Sequence, residues 1–218
     1  MKERLLRVRR LGRVEYGAGL SLQKETERAV VTNAQPDTLL LLEHPHTLTL
    51  GRGAGMERIT TPQAALEERG VTVFETNRGG KATYHGIGQL VGYPIINLSP
   101  DREDVHRYVR DLEETLIRAL ADFGIECFRI KGLTGVHTGE GKVAAIGVHL
   151  KRWVTTHGFA LNVTTDLSYF NLIVPCGIQS VTMTSIEREV VDRTVPSVTD
   201  VGVAVAEAFG EVFSLEPV

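Results

Sequence analysis

The chain has 218 residues, 42% of them hydrophobic and 23% charged, and its 24 basic and 27 acidic side chains leave a net charge of −3. That length predicts one domain with a core of its own, and the composition excludes disordered, collagen-like and coiled-coil chains. The slight acidic excess argues against a dedicated nucleic-acid binder, and two cysteines, Cys127 and Cys176, exclude a disulfide framework or a four-cysteine zinc site. The N-terminal MKERLLRVRR lacks the apolar stretch of a secretory signal, and no apolar run is long enough to span a membrane. The expectation is a soluble, cytoplasmic, reduced domain of enzyme size.

In chain order, Leu5–Tyr16 reads as a strand pair or one bent strand, and Leu20–Val30 as a helix. Thr38–Glu43 carries four consecutive leucines, the pattern of a strand buried on both faces. Thr47–Leu50 is a second short strand, Pro62–Arg69 a short helix closed by Gly70, and Val71–Thr76 a strand. Leu90–Leu98 is apolar enough for a central strand, although Pro94 calls for a bulge or an edge. Asp104–Phe123 is the clearest helix. Its Val105, Tyr108, Val109, Leu112, Leu116, Leu120 and Phe123 recur at three- and four-residue steps as one stripe, with Asp101 as cap and Gly124 as stop. Glu126–Lys131, Lys142–Leu150 and Thr155–Val163 read as strands. The last helix, Val198–Phe213, opens with Ser197 and Asp200 in a capping-box pattern and buries Val201, Val205, Ala208, Phe209 and Val212. Strands interspersed with a few helices predict a mixed sheet covered by helices, an α/β or α+β domain.

The densest chemistry lies in RGGKATYHGIGQLVGY, Arg78 to Tyr93. Glycines let the backbone approach a ligand closely, here interleaved with Arg78, Lys81, Thr83, Tyr84, His85 and Gln89. A phosphate-cradling loop must open a helix. This one runs into the strand Leu90–Leu98, so the segment is a strand–loop–strand that either presents polar groups to a ligand or is a structural glycine hairpin.

Lys142, in GEGKVAAIGVHL, starts an apolar strand. It is either an exposed strand-end lysine or a desolvated amine useful as a base. Cys176, in VPCGI, sits in a Pro/Gly-bounded turn, where a thiol is either half-buried and inert or exposed and activated by a nearby ammonium. Cys127 alternates with Ile125 and Phe128 and reads as core. Seven histidines suggest a metal, but His44 and His46 have no third ligand at metal-site spacing, so strand-end packing is expected. His149 and His157 fall on adjacent strands and either share a cleft or are solvated. Gly51–Gly55 reads as a structural turn. Arg4, Arg7, Arg9, Arg10 and Arg13 read as a solvated strand face, the alternative being a docking patch for an acidic partner, for which Lys151 and Arg152 are another candidate.

Taken together, these segments resemble the lipoyl(octanoyl) transferases. Arg78-Gly79-Gly80, Thr83-Tyr84-His85-Gly86, Gly88-Gln89 and Tyr93 match the family signature, followed in order by Gly141-Lys142, Ala145-Ile146-Gly147, His157-Gly158-Phe159-Ala160-Leu161-Asn162 and Pro175-Cys176-Gly177. The resemblance spans roughly Asp37 to Ser185. Ile87, where proline is frequent, and Asn77, where aspartate is common, depart from it and put only the rigidity of the loop in doubt. Membership implies the fold of biotin and lipoate protein ligases, a single domain around a central mixed sheet. It implies transfer of octanoyl from octanoyl-acyl carrier protein to a lysine of lipoyl domains in 2-oxoacid dehydrogenases and the glycine-cleavage H protein, the first step of protein lipoylation. It further implies that Cys176 carries the acyl group as a thioester, that Lys142 activates it, and that Arg78, Gly79, Gly80, Lys81, Ala82, Thr83, Tyr84, His85, Ala145, Ile146, Gly147, Gly158, Phe159 and Ala160 contact substrate. His149, His157, Tyr93 and Gln89 would support them.

The chemistry suits these residues. A thiolate exchanges with a thioester at little net cost, and the acceptor amine, with an ordinary pKa near ~10.4, needs a base such as neutral Lys142. The Cys176–Lys142 pair would share one proton. Small residues at Ala144, Ala145, Gly147, Gly158 and Ala160 leave room for an acyl chain. Thioester exchange requires no ATP, metal, nucleotide or other cofactor. An ATP-dependent ligase of the same fold, for which Cys176 would be dispensable, and a non-catalytic module that binds carrier domains are the competing readings.

Overall fold

The computed structural model describes residues 4–174, 182–191 and 193–218. In chain order its elements are β1 (Leu5–Arg13), α1 (Tyr16–Val31), β2 (Asp37–Glu43), β3 (Thr47–Leu50), α2 (Gln63–Glu68), β4 (Thr72–Glu75), β5 (Ala82–His85), β6 (Gln89–Ile95), α3 (Val105–Ala121), β7 (Val136–His137), β8 (Lys142–Lys151), β9 (Val154–Asn162), α4 (Ile186–Glu189), α5 (Val198–Phe213) and β10 (Glu216–Pro217). Short 3-10 helices cover Met56–Arg58 and Leu167–Leu172.

Two mixed sheets result: a seven-stranded one in the order β10-β1-β2-β6-β9-β8-β7, and a three-stranded one in the order β4-β3-β5. In the large sheet β1 runs parallel to β2 and β10, and from β2 to β7 every pairing is antiparallel. The four leucines of β2 explain its place inside the sheet. Leu39 and Leu41 point into the core under α3 and α5, while Leu40 and Leu42 point into a second layer with Val30 and Leu22 of α1. Side chains alternate along a strand, so only a strand covered on both faces can use four apolar residues in a row. Burial of each leucine is worth about 1.5–3 kcal/mol. The small sheet packs its own core, Leu48, Leu50, Leu66, Tyr84 and Phe170.

The mixed α/β architecture expected from the sequence is the one observed, and so are most elements. β1 is one strand whose register slips between Arg10 and Arg13, not a strand pair. The first helix begins at Tyr16, four residues earlier than predicted, because Gly17 and Gly19 hid its first turn; Gly19 lies against the ring of His44. Asp104, not Asp101, caps α3 by accepting from the backbone N–H of His106 and Arg107. The stripe of α3 buries Tyr108, Leu112, Leu116 and Leu120, but Val105 is exposed. The strand predicted at Glu126–Lys131 does not form. Phe128 makes one bridge to His137, because β7 at the sheet edge is two residues long and offers no further partner. Pro94 lies in an internal strand: β6 pairs with β2 from Val91 to Ile95, while its ladder to β9 stops at Gly92 and resumes only at Asn97. β5 pairs with β3, so the glycine segment links two sheets rather than forming a hairpin.

Candidate active site

A cavity of about 490 Å³ lies over β8 and β9. Lys142 and Gly147 both line it and stand five residues apart on β8, roughly 17 Å at ~3.3 Å per residue. Its wall along β8 and β9 includes Ala145, Ile146, Gly147, Gly158, Phe159 and Ala160, and Arg78, Gly79, Gly80, Lys81, Ala82 and Thr83 overhang it. Gly158 is required by the packing beneath, since a Cβ there would collide with the carbonyl of Gly92.

The overhanging segment is fixed from two directions. The Arg78 side chain is buried and donates from Nη2 to the Thr49 carbonyl (2.7 Å) and hydroxyl (2.8 Å), and from Nη1 to the Gly79 carbonyl (3.0 Å). The Gly51–Gly53 turn donates its backbone N–H groups to the carbonyls of Lys81, Arg78 and Gly80, and Gly79 N–H reaches Val148 O on β8 (2.9 Å). This second glycine turn therefore serves as the bed of the first.

The far end of the cavity is polar yet largely uncharged. Tyr16, His85, Tyr93 and His157 line it. His44 Nδ1 donates to Val14 O (2.6 Å), which leaves Nε2 to accept from the Tyr93 hydroxyl (2.7 Å). His157 Nε2 pairs with Asn77 Oδ1 (2.8 Å) and His85 Nδ1 with Gln89 Oε1 (2.9 Å). Gln89 is oriented in turn by its Nε2, which donates to Tyr84 O and Asn162 Oδ1. Burial, reinforced at His157 by Arg78 and His149, pushes His44 and His157 down to about 4, and burial lowers His85 well below the ordinary histidine range. Burial raises Tyr16 to about 12 against the opposing pull of Arg78. These rings are neutral hydrogen-bonding groups at neutral pH.

Three residues expected to contact or support substrate stand elsewhere. Tyr84 alternates with His85 on β5, so it points into the small-sheet core, where its hydroxyl meets His46 Nδ1 (2.7 Å) and its ring stacks on Tyr169. Gln89 lies behind His85 rather than on the cavity wall, and His149 turns outward to pair with Arg52 (2.8 Å). The two histidines of the adjacent strands do not share the cleft; only His157 faces it.

At the other end, Lys142 Nζ donates to the carbonyl of Thr134 (2.7 Å). The loop carrying Thr134 is tied down by Glu113 of α3, a fully buried carboxylate that accepts from Gly135 N–H (2.9 Å) and from Arg110 (2.6 Å). Backbone bonds from Lys142 N to Thr182 O and from Thr184 N to Lys142 O hold the start of β8. His137, Leu133, Thr134 and Met183 complete this end. None of these four stood out in the sequence, because they converge through a two-residue strand and an irregular loop that carry no periodic signal. Cys176, with Pro175 and Gly177, lies outside the described residues. Cys127 is half-buried against the main core, and burial, with Glu189 and Glu126 nearby, raises its thiol to about 12, so it holds no thiolate at neutral pH. Among the described residues no cluster of three His, Cys, Asp or Glu could hold a metal ion, and no helix is long and apolar enough to cross a membrane.

Residues 15–210 match the family model of the lipoyl protein ligase A/B catalytic domain. The fold agrees. A bi-partite lipoate protein ligase of Thermoplasma acidophilum, solved in work that includes its E2 lipoyl domain, superposes with a TM-score of 0.76 at 17% identity, covering all of this chain and 86% of that one. An octanoyltransferase of Solibacter usitatus is 55% identical over 171 residues, 78% of each chain, and one of Acidobacterium capsulatum is 48% identical over 96% of this chain and 90% of its own. The chain belongs to the lipoyl protein ligase A/B catalytic-domain family and, within it, to the octanoyltransferases. It is an acyltransferase.

Proposed function

We propose that this chain, as one catalytic domain over residues 1–218, moves an octanoyl group from octanoyl-acyl carrier protein to a lysine amine of lipoyl domains. The acceptors are those of 2-oxoacid dehydrogenases and the glycine-cleavage H protein, in the cytoplasm. The observation that supports this most is Lys142 at one end of a mostly apolar cavity of about 490 Å³, in a chain whose relatives are octanoyltransferases. In the first half-reaction the Cys176 thiolate bonds to the thioester carbonyl carbon, the old C–S bond breaks, and the carrier thiolate takes the proton of the Lys142 ammonium, which leaves Lys142 neutral. In the second the acceptor amine bonds to that carbon, Cys176 leaves as thiolate, and Lys142 removes the amine proton. Arg78, Gly79, Gly80, Lys81, Ala82, Thr83, His85, Ala145, Ile146, Gly147, Gly158, Phe159 and Ala160 shape the acyl site, with His157 and Tyr93 behind them.

The test is intact-mass analysis after incubation with octanoyl-acyl carrier protein, without acceptor and without ATP. One octanoyl group should be added, and Cys176→Ser should abolish the adduct. A label on Cys127, or acylation that needs ATP, would overturn the reading, the latter in favour of a ligase.

A further inference from the structure

The buried stripe of α1 is Tyr16, Gly19, Gln23, Thr26 and Val30. Gln23 is its long polar member, 2% exposed, and stands behind the cavity wall rather than on it. Its Oε1 accepts from the backbone N–H of His157 (2.7 Å), while its Nε2 makes no hydrogen bond with any described residue. A buried carboxamide left half unpaired is costly. An apolar side chain would fill this place at less cost, and what the carboxamide adds is one acceptor for His157.

That acceptor meets a gap in the sheet. The ladder from β6 to β9 ends at Gly92 and Phe159, and Pro94 beyond it has no N–H. Two side chains stand in for the missing ladder: Thr155 Oγ1 donates to Pro94 O (2.7 Å), and Gln23 takes the His157 N–H. His157 has φ +56°, in the left-handed region, although it lies inside β9. The direction of its ring follows from that. Side chains alternate along a strand, so residue 157 belongs on the face of Phe159 and of its β8 partner Val148, both packed on the core under α3 and α5. The left-handed residue breaks the alternation. The ring emerges on the other face, on the cavity wall beside Tyr93, with Nε2 on Asn77 Oδ1 (2.8 Å).

We propose that Gln23 is a positioning residue of the acyl site: its side-chain oxygen holds the His157 backbone left-handed, and the imidazole so placed closes the end of the cavity remote from Lys142 and limits the acyl length the cavity takes. The inference rests on the octanoyl-transfer reading above. Strained backbone persists only where its surroundings over-determine it. Without the acceptor, residue 157 relaxes to extended backbone and its ring leaves the cavity. The freed space suits a longer chain. An extended chain advances roughly 1.2 Å per bond, about 3.5 Å for the three bonds of a residue, so dodecanoyl reaches about 5 Å beyond octanoyl.

The test compares octanoyl- and dodecanoyl-pantetheine by calorimetry in a Cys176→Ser background that keeps the acyl group on the ligand. Gln23→Met, of similar length but without the acceptor, should shift the ratio of the two dissociation constants roughly tenfold toward dodecanoyl, the low end of what one methylene is worth in an apolar pocket. Gln23→Glu, which keeps an acceptor oxygen, should shift it far less. In a His157→Ala background, which already lacks the ring, Gln23→Met should move the ratio no further, because residues that act through one another are not additive. The His157 amide should exchange with solvent roughly three- to tenfold faster in Gln23→Met, the net strength of one hydrogen bond. With Gln23 in place, the His157 imidazole 15N shifts should move on adding dodecanoyl-pantetheine. An unchanged ratio in Gln23→Met, the same shift of ratio with and without the His157 ring, or imidazole shifts that ignore the ligand in the protein with Gln23 intact would overturn the proposal, the last whatever the stability of the variants. A protein that shows this length preference but transfers no octanoyl group would refute the transfer reading and leave the role of Gln23 standing.

Discussion

Lys142 is positioned by a carbonyl acceptor, Thr134 O, and by the Gly135 backbone that underlies its methylenes. A carbonyl can accept from an ammonium or from a neutral amine, more strongly from the ammonium, so this hydrogen bond can persist through the proton changes a base must undergo. Glu113 reaches the same loop from α3, which makes the lysine's position depend on the helix packed beneath it. If Lys142 shuttles protons, Lys142→Ala should slow both acylation and deacylation about 10²- to 10⁴-fold in single-turnover assays. Lys142→Arg should not rescue, because guanidinium stays protonated. An active arginine variant would mean that positive charge alone is needed. Lys142 is legible in the sequence through its neighbours in the chain, whereas Glu113 and His137, which arrive from α3 and β7, share no motif with it.

Among the elements, the Arg78–Lys81 segment shows how tertiary contacts separate glycines that look alike in sequence. Gly80 has φ +84°, in the left-handed region that β-branched residues rarely adopt, whereas Gly79 is in ordinary backbone and a Cβ there would touch only Val148 O at 3.4 Å. Gly80→Val should therefore reduce transfer far more than Gly79→Ala, with a stability loss of about 1–3 kcal/mol confined to the loop. Transfer rate and melting temperature measured together decide it; equal activity in the two variants would show that the left-handed turn has no bearing on the site. The helices were readable for the opposite reason. The Ser197–Asp200 box and the spacing of Val201, Val205, Ala208 and Phe209 are local signals, and α5 forms where they indicate. Glu126–Lys131 has a strand-like composition but only a two-residue neighbour, and pairing needs two strands.

In the molecule as a whole, the polar floor lies against the first turn of α1, with His44, His85, Tyr93 and His157 gathered around Tyr16. This arrangement has a cost in acid. Unfolded histidine titrates near ~6.5, whereas in the folded chain His44 and His157 titrate at about 4. Between those values the unfolded state binds more protons, so stability rises with pH there. The contribution of these rings is complete above about 6.5 and is lost as pH falls through about 4, on the order of 3 kcal/mol for each ring. The melting temperature should fall from pH 7 to pH 5, and His44→Asn should flatten that slope. A melting temperature independent of pH over this window would mean that the rings are solvated.

The sequence by itself determined the alternation of elements and the buried leucine strand, and it marked the glycine segment and Lys142 as features to test. Each is written in local spacing, composition or a contiguous motif. The tertiary structure alone decided that Tyr84 faces a second core while His85 faces the cavity, since one-residue alternation on β5 acquires a meaning only when the sheets on either side are known. It alone decided that Gly51–Gly53 is the bed of the Arg78–Lys81 segment, and that His137 and Glu113 meet Lys142 at one end of the cavity. Those contacts join residues far apart in sequence, and a chain encodes such meetings only through the packing of its whole core.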